Sequence, residues 1–312
     1  QSPSNKTYAT TGSLPLNYTT TMLAPVDKCW YSLNNGANQT LPSCANTTIS
    51  AAEGANNIVV YANDTNGNNN SLIIFFTKNS SSVLGSCADL VMDNGAYTLS
   101  NSISVSGASC FNISAQNVTL NCAGFNITGN GAANTYGIYS SSFNTTLKNC
   151  NITNFPYGVF FNGATYGTIQ NTVARPAAVS GWGIYINSSS SYNLIINSNG
   201  TSGASNSSNG ITIEFGSNYN TIINSSGVSQ NGSGIYINFS SNYNSIINSS
   251  GVSQNGSGIS ILNALNNSII NSKGNGTAGI YPTAGIYINS SINTSIINSN
   301  GTSSSGTGIY LA

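Results

Sequence analysis

The sequence predicts an all-β chain built mainly as a parallel β-helix, and three observations carry that prediction. A unit of about 24 residues occurs twice without a gap: residues 207–230 read SSNGITIEFGSNYNTIINSSGVSQ and residues 231–254 read NGSGIYINFSSNYNSIINSSGVSQ. In each unit a Gly-Ile pair opens the first apolar run (Gly210-Ile211, Gly234-Ile235), and Ile-Ile-Asn closes the second (Ile222-Ile223-Asn224, Ile246-Ile247-Asn248). Both runs are short, β-branched and bounded by Asn, Ser and Gly, which is the composition of strands. One unit alone cannot bury its isoleucines. Units stacked at about 4.8 Å per layer bury them in a continuous column.

The same layer start recurs along the chain, at Gly137-Ile138, Gly158-Val159, Gly183-Ile184, Gly210-Ile211, Gly234-Ile235, Gly258-Ile259, Gly285-Ile286 and Gly308-Ile309. Spacings run from about 21 to about 27 residues, and the variation falls in loops such as Arg175-Pro176-Ala177-Ala178 and Gly279-Ile280-Tyr281-Pro282. The expected organisation is an N-terminal arm or edge strand at 1–12, a small β-sandwich at 13–80 and the β-helix at 81–312. The last layer begins at Gly308-Ile309 and stops at Ala312 without a capping helix, which leads to the expectation that another subunit covers it.

Composition narrows the function classes. Only 4% of residues are charged, six of each sign, so there is no basic footprint for nucleic acid and no polybasic membrane patch. No run of about 18 apolar residues provides a membrane span. Such low charge threatens solubility. Asparagine supplies a remedy: it fills roughly 50 positions, and roughly 25 of these open an Asn-x-Ser/Thr sequon, the acceptor for an N-glycan on an exported protein. A chain rich in Asn, Ser and Thr also forms sequons by chance. The glycosylation candidates are Asn5, Asn17, Asn38, Asn46, Asn63, Asn69 and Asn79 in the N-terminal part, and Asn112, Asn117, Asn126, Asn144, Asn151, Asn187, Asn199 and Asn206 in the first half of the helix. Asn231, Asn238, Asn255, Asn266, Asn275, Asn289, Asn293 and Asn300 complete them. Apart from covalent glycans no cofactor is expected. Six cysteines in a chain without histidine fit disulfides better than a metal site. The chain opens at Gln1 with neither a charged nor an apolar leader region, and is read as a mature form located outside the cell.

Residues 1–12 are polar and read as a frayed arm or an edge strand. Between 13 and 80, alternating runs appear at Leu14-Pro15-Leu16, Cys29-Trp30-Tyr31-Ser32-Leu33, Ile58-Val59-Val60-Tyr61 and Leu72-Ile73-Ile74-Phe75-Phe76, separated by turn clusters. Short strands at this spacing predict a β-sandwich. The stretch EGANNIVVYANDTNGNNNSLIIFF resembles the last hairpin of the Ig-like modules common in prokaryotic surface proteins, and CWYSLNNGANQTLPSC resembles the cysteine-bounded hairpin of an archaeal subset of them. The resemblance implies an Ig-like sandwich with Cys29 paired to Cys44. Such modules carry a first strand before the position of Ser2-Pro3, and this chain has almost nothing there. The expected sandwich therefore has an open edge that invites a strand from another chain.

The stretch CADLVMDNGAYTLSNSISVSGASCFNISAQNVTLNCAGFNITG resembles the first layers of right-handed β-helix proteins of archaeal-type secreted and cell-surface glycoproteins. The resemblance implies that Tyr97, Leu99, Ile103, Phe111, Ile113, Val118, Leu120 and Ile127 face inward and that Cys87 and Cys110 close the first loop. Cys122 and Cys150 follow similar Leu-Asn and Lys-Asn contexts about one layer apart, where stacking brings Cα atoms to about 5 Å, inside the disulfide window. Two buried free thiols are the alternative. Asn197, Asn224, Asn248, Asn271 and Asn298 each follow an Ile-Ile pair. They are expected at one corner of successive layers as an inward hydrogen-bonded ladder, which would compete with glycosylation at Asn224 and Asn248. Tyr139, Phe160, Tyr185, Tyr236 and Tyr287 follow layer starts and form an outward aromatic column, fit for stacking along the axis, for sugars or for a subunit contact.

Parallel β-helices often carry polysaccharide lyases and hydrolases. Hydrolysis needs two carboxylates within several ångströms, and lyases of this fold use a base, commonly with calcium held by carboxylates. Beyond Asp93 the only acidic residue is Glu214, and the only cations are Lys148, Arg175 and Lys273. Glu214, on the run Ile211-Thr212-Ile213-Glu214, reads as an exposed face residue rather than a lone catalyst. No histidine is present to act as base or ligand. The expected function is a non-enzymatic structural subunit, polymerising with copies of itself into a glycosylated extracellular filament or coat. An adhesin or glycan-binding protein is the alternative, and a carbohydrate-active enzyme is the third reading.

Overall fold

The computed structural model describes residues 2–8, 13–52, 54–78, 82–176, 181–204, 208–277 and 283–312. Asn79, Asn206 and the loop Gly279–Pro282 lie outside them. The chain divides into two compact units, Gln1–Ser82 with Met92–Ala96 and Val83–Val91 with Tyr97–Ala312.

The larger unit is a right-handed parallel β-solenoid of about nine turns. Its three sheets hold 10, 9 and 10 strands. The repeats stack in the register that the isoleucines dictate. Ile184, Ile211, Ile235, Ile259 and Ile286 stand over one another in one sheet, and Ile195, Ile222, Ile246 and Ile269 in another, all with no solvent exposure. Each layer's β-branched side chains thus pack on identical side chains above and below, the arrangement that a one-residue slip would turn inside out. The inward residues implied for the first layers are all buried.

The glycine of each layer start has a steric cause. The third sheet carries a column at Gly227, Gly251, Gly274 and Gly301, the first three buried and the last half-buried, facing the layer-start glycines of the following strands. A Cβ on Gly251 would lie 2.1 Å from the carbonyl oxygen of Gly258. Backbone meets backbone at this corner, so neither side can yield.

The corners correct one sequence expectation. Asn197, Asn224, Asn248, Asn271 and Asn298 do share a corner, but all are exposed, with φ of +48° to +49°. They turn the chain in the left-handed region that asparagine tolerates better than other side chains. The residue after each one points inward instead. The N–H of Ser198 donates to Ser225 Oγ, that of Ser225 to Ser249 Oγ and that of Ser249 to Ser272 Oγ, at 3.0–3.1 Å. The inward asparagine ladder occupies another corner: Asn193, Asn220 and Asn244 each donate a backbone N–H to the Oδ1 of Asn220, Asn244 and Asn267 in turn, at 2.7–2.8 Å.

The smaller unit contains a five-stranded sheet, in the order Thr7–Tyr8, Asn69–Lys78, Gly54–Asp64, Val26–Leu33 and Gln39–Leu41. Its pairs are antiparallel except the first, where Thr7 and Tyr8 run parallel to Thr77 and Lys78. A two-stranded sheet, Leu14–Leu16 with Thr47–Ile49, lies over a shared core of Leu14, Leu16, Ile49, Ile58, Ile74 and Phe76. The structure therefore shows two small sheets, antiparallel apart from that one edge pair, where an Ig-like sandwich was expected. The second layer is thin because only three-residue strands supply its inward side chains.

All three expected disulfides are present, Cys29–Cys44, Cys87–Cys110 and Cys122–Cys150, with Cα separations of 5.1, 4.5 and 4.8 Å. The last pair ties adjacent layers and settles the choice against free thiols. Among the described residues no helix is long and apolar enough to cross a membrane.

Gly251→Ala is expected to destabilise the solenoid by about 3 kcal/mol or more, since the added methyl meets main chain that cannot repack. Chemical denaturation followed by circular dichroism measures it; a loss below about 1 kcal/mol would mean that this corner is looser than the contact distance implies.

Candidate surface site

The sheet that holds the layer starts turns a polar and aromatic face away from the isoleucine core, and much of that face is covered: Phe160, Tyr185, Thr212 and Ser260 are buried. In register along it stand Tyr139, Phe160, Tyr185, Thr212, Tyr236, Ser260, Tyr287 and Tyr310. The expected aromatic column is thus real but interrupted, because Thr212 and Ser260 replace rings. In the early layers it is two rings wide: Phe160 stacks on Tyr185 at 5.0 Å while Tyr157 stacks on Trp182 at 5.1 Å. Phe160 and Tyr185 are buried, so their faces are closed to a sugar.

Glu214 departs from its sequence reading. It is 8% exposed, not an open face residue. Small, buried Thr212 stands in register between Tyr185 of the layer before and Tyr236 of the layer after, and Glu214 lies two residues further along the chain. Tyr185 Oη donates to Glu214 Oε2 at 2.9 Å, and Asn238 Nδ2 donates to the hydroxyl of Tyr236. The Thr212 hydroxyl is buried without a partner. Burial raises the Glu214 carboxyl above the ordinary glutamate value, and the Tyr185 hydrogen bond only partly opposes it. Burial and the neighbouring Glu214 push Tyr236 up to about 12 and move Tyr185 in the same direction. The structure brings no second carboxylate to this spot among the described residues, and no group of three or more His, Cys, Asp or Glu that could hold a metal ion occurs among them.

The sequon asparagines divide by environment. Asn5, Asn17, Asn38, Asn46, Asn69, Asn112, Asn117, Asn126, Asn144, Asn255, Asn293 and Asn300 are exposed. Asn63, Asn151, Asn187, Asn199, Asn231, Asn266, Asn275 and Asn289 are half-buried. Asn238 is buried, with its amide committed to Tyr236 and its Oδ1 accepting from the Phe239 N–H, so it offers an acceptor poorly. Asn224 and Asn248, set aside in the sequence reading as ladder residues, open Asn-Ser-Ser sequons and are exposed.

Sequence reasoning also missed a second aromatic column. Tyr166, Tyr192, Tyr219 and Tyr243 stack at one corner, at 4.8–4.9 Å with ring planes within 7° of parallel. The signal was present as Ser-Asn-Tyr-Asn in both copies of the repeat, Ser217–Asn220 and Ser241–Asn244.

In the smaller unit a groove of about 410 Å³ is lined by Tyr18, Met22, Val60, Tyr61, Ala62 and Leu72. Leu72 pairs with buried Val60 and shares its inner face, yet is half exposed, because the two-stranded layer does not reach it. Asp64 lies under the turn Thr65–Asn68, where the Asn68 side chain and nearby N–H groups donate to it and hold its carboxyl below the ordinary value. No family model, curated protein or solved structure matches the chain.

The signs of the two carboxyl shifts set a pH test. A raised folded-state value means that Glu214 favours folding fully below the ordinary glutamate value, and that this contribution is lost as pH rises through the folded value. Asp64, with a lowered value, acts in the opposite sense: its contribution is present above the ordinary aspartate value and is lost as pH falls through the folded one. Thermal unfolding of wild type and Glu214→Gln between about pH 4 and about pH 8 is expected to show the variant gaining relative stability as pH rises. A constant difference between the two across that range would contradict the burial of a titrating carboxyl.

Proposed function

We propose that this chain is a structural subunit of a heavily N-glycosylated extracellular filament or cell-surface coat, joined to copies of itself by β contacts. The observation that supports it most is the contrast between inside and outside. The interior is closed by Ile columns and by Ser and Asn ladders, while sequon asparagines recur at exposed corners layer after layer, as at Asn117, Asn144, Asn224, Asn248 and Asn293. A surface with so few charges gains its hydration from such glycans. Three disulfides fit an oxidising, extracellular setting.

The smaller unit supplies the β contact in this reading. Among the described residues, strand Asn69–Lys78 is paired along one side by Gly54–Asp64, but on the other only at Thr77 and Lys78. Its edge from Asn69 to Phe76 carries half-exposed Leu72 beside the groove, and exposed Ile73 and Phe75 on the opposite face, where they border a second cleft with Pro3, Ser4 and Asn5. A strand from a second copy adds there through main-chain hydrogen bonds, with apolar side chains filling the groove. The Ig-like, archaeal-type resemblance of this segment agrees with that use.

Electron microscopy of native extracellular material is expected to show filaments or sheets containing the chain, and mass spectrometry a large mass loss on enzymatic deglycosylation. Monodisperse, unmodified monomers would sink the reading. The double variant Ile73→Lys, Phe75→Lys places charges on the open edge and is expected to lower assembly about tenfold or more with little change in the melting temperature. Unchanged assembly would remove this edge from the contact.

A further inference from the structure

One corner column takes left-handed backbone in eight successive layers. Asn117 and Asn144 begin it, Tyr166, Tyr192, Tyr219 and Tyr243 continue it, and Asn266 and Asn293 end it, all with φ between +54° and +61°. From Asn117 to Asn266, each member's N–H donates to the residue just before the next member, at 2.8–3.1 Å, so the positions are equivalent. All four asparagines open sequons: Asn117-Val118-Thr119, Asn144-Thr145-Thr146, Asn266-Asn267-Ser268 and Asn293-Thr294-Ser295. Asparagine takes this backbone at low cost, whereas a bulky aromatic does not. Four central layers nevertheless hold tyrosine, and by doing so they lose the glycan acceptor. The result is an aromatic window bracketed at both ends by sequons.

The geometry of the window selects its partner. The four tyrosines are 52, 48, 46 and 49% exposed in chain order. Their ring faces are occupied by one another, so what they present outward is a row of ring edges and hydroxyls. Saccharide recognition by aromatic stacking needs a free face and finds little here. The row is a comb about 15 Å long with teeth 4.8–4.9 Å apart. A surface of another spacing falls out of step within a few teeth, whereas a second copy of this solenoid carries the same spacing. Phe215 and Phe239, stacked at 4.5 Å and about half exposed, add a second row beside Tyr219 and Tyr243.

We infer that this window is a lateral docking face for a second copy of the chain, one row of ring edges and hydroxyls laid against the other in the same spacing, with glycans at the flanking sequons confining the contact to the four central layers. The pairing goes beyond the proposed polymer, since it holds whether or not a strand added at the sheet edge also joins copies. It is therefore tested in the full chain carrying Ile73→Lys and Phe75→Lys, where edge pairing is blocked. Tyr192→Asn removes one tooth without creating a sequon, because Leu194 stands two residues on. Tyr219→Asn removes one and creates a sequon with Thr221. Both put a left-handed-tolerant residue at a left-handed position, so an unfolding midpoint at or above that of the parent serves as the folding control.

Sedimentation at up to about 100 μM is expected to show dimers of the parent, weakened about tenfold by Tyr192→Asn. Tyr219→Asn is expected to weaken them similarly when made in a host that does not glycosylate, and to abolish them in one that does. Photo-oxidative cross-linking of the parent is expected to give covalent dimers whose dityrosine peptides map to Tyr166–Tyr243. A parent that stays monomeric, or dimers indifferent to both substitutions, would overturn the inference while leaving the polymer reading standing. A monomeric parent whose binding to a saccharide array is lost in Tyr192→Asn would assign the window to a glycan instead.

Discussion

The constraint on which the solenoid depends is that every layer must satisfy its neighbour's buried polar groups. Three sharp corners per turn point backbone N–H groups and short polar side chains into an interior otherwise filled with apolar side chains, isoleucine above all. A group left unpaired there costs far more than a hydrogen bond adds. The structure answers with vertical ladders: the N–H of Ser225 finds Ser249 Oγ, and that of Asn220 finds Asn244 Oδ1. Each rung is both acceptor for the layer below and donor to the layer above. The near-identity of the repeats follows from this requirement as much as from isoleucine packing, since a ladder residue has no partner unless the next layer repeats it.

The outer surface is freer, and there the layers diverge. One left-handed corner alternates between blocks of asparagine and tyrosine, and beneath the surface the non-core face of one sheet mixes rings with buried Thr212 and Ser260. Glu214 illustrates how such a surface generates a local environment. A single small residue interrupts the aromatic column at Thr212, and two residues further on the Glu214 carboxyl reaches the hydroxyl of Tyr185 in the layer before. The buried carboxyl is steadied by that hydroxyl, a local feature of one layer rather than of the fold.

Much of this was legible in the sequence. The Gly-Ile and Ile-Ile runs located strands, register and the inward face, because β-branched periodicity and steric exclusion act over a few residues. The cysteine contexts were informative for the same reason, one layer apart in a stack being close in space. The corners were misread by a single residue. Asparagine suits both a ladder and a left-handed turn, and spacing alone does not give the sign of φ, so Asn224 was placed inside where Ser225 belongs. Glu214 was misjudged because its cover comes from adjacent layers, not from its own strand. In the smaller unit the long strands of the five-stranded sheet were plain, but the thinness of the opposing layer depends on how few side chains of residues 14–16 and 47–49 turn inward.

The glycine column has a consequence for how such a chain changes over time. Gly227, Gly251, Gly274 and Gly301 make the turns that carry them sterically equivalent at their tightest point, where earlier turns hold Ile152 and Ala174, and the ladder residues make them chemically equivalent. A gene segment encoding one whole turn can therefore be duplicated or lost by unequal recombination with every junction still matched, as the twin units at 207–230 and 231–254 illustrate. Variation in the number of turns is compatible with this architecture in a way that a single-residue insertion within a rung is not.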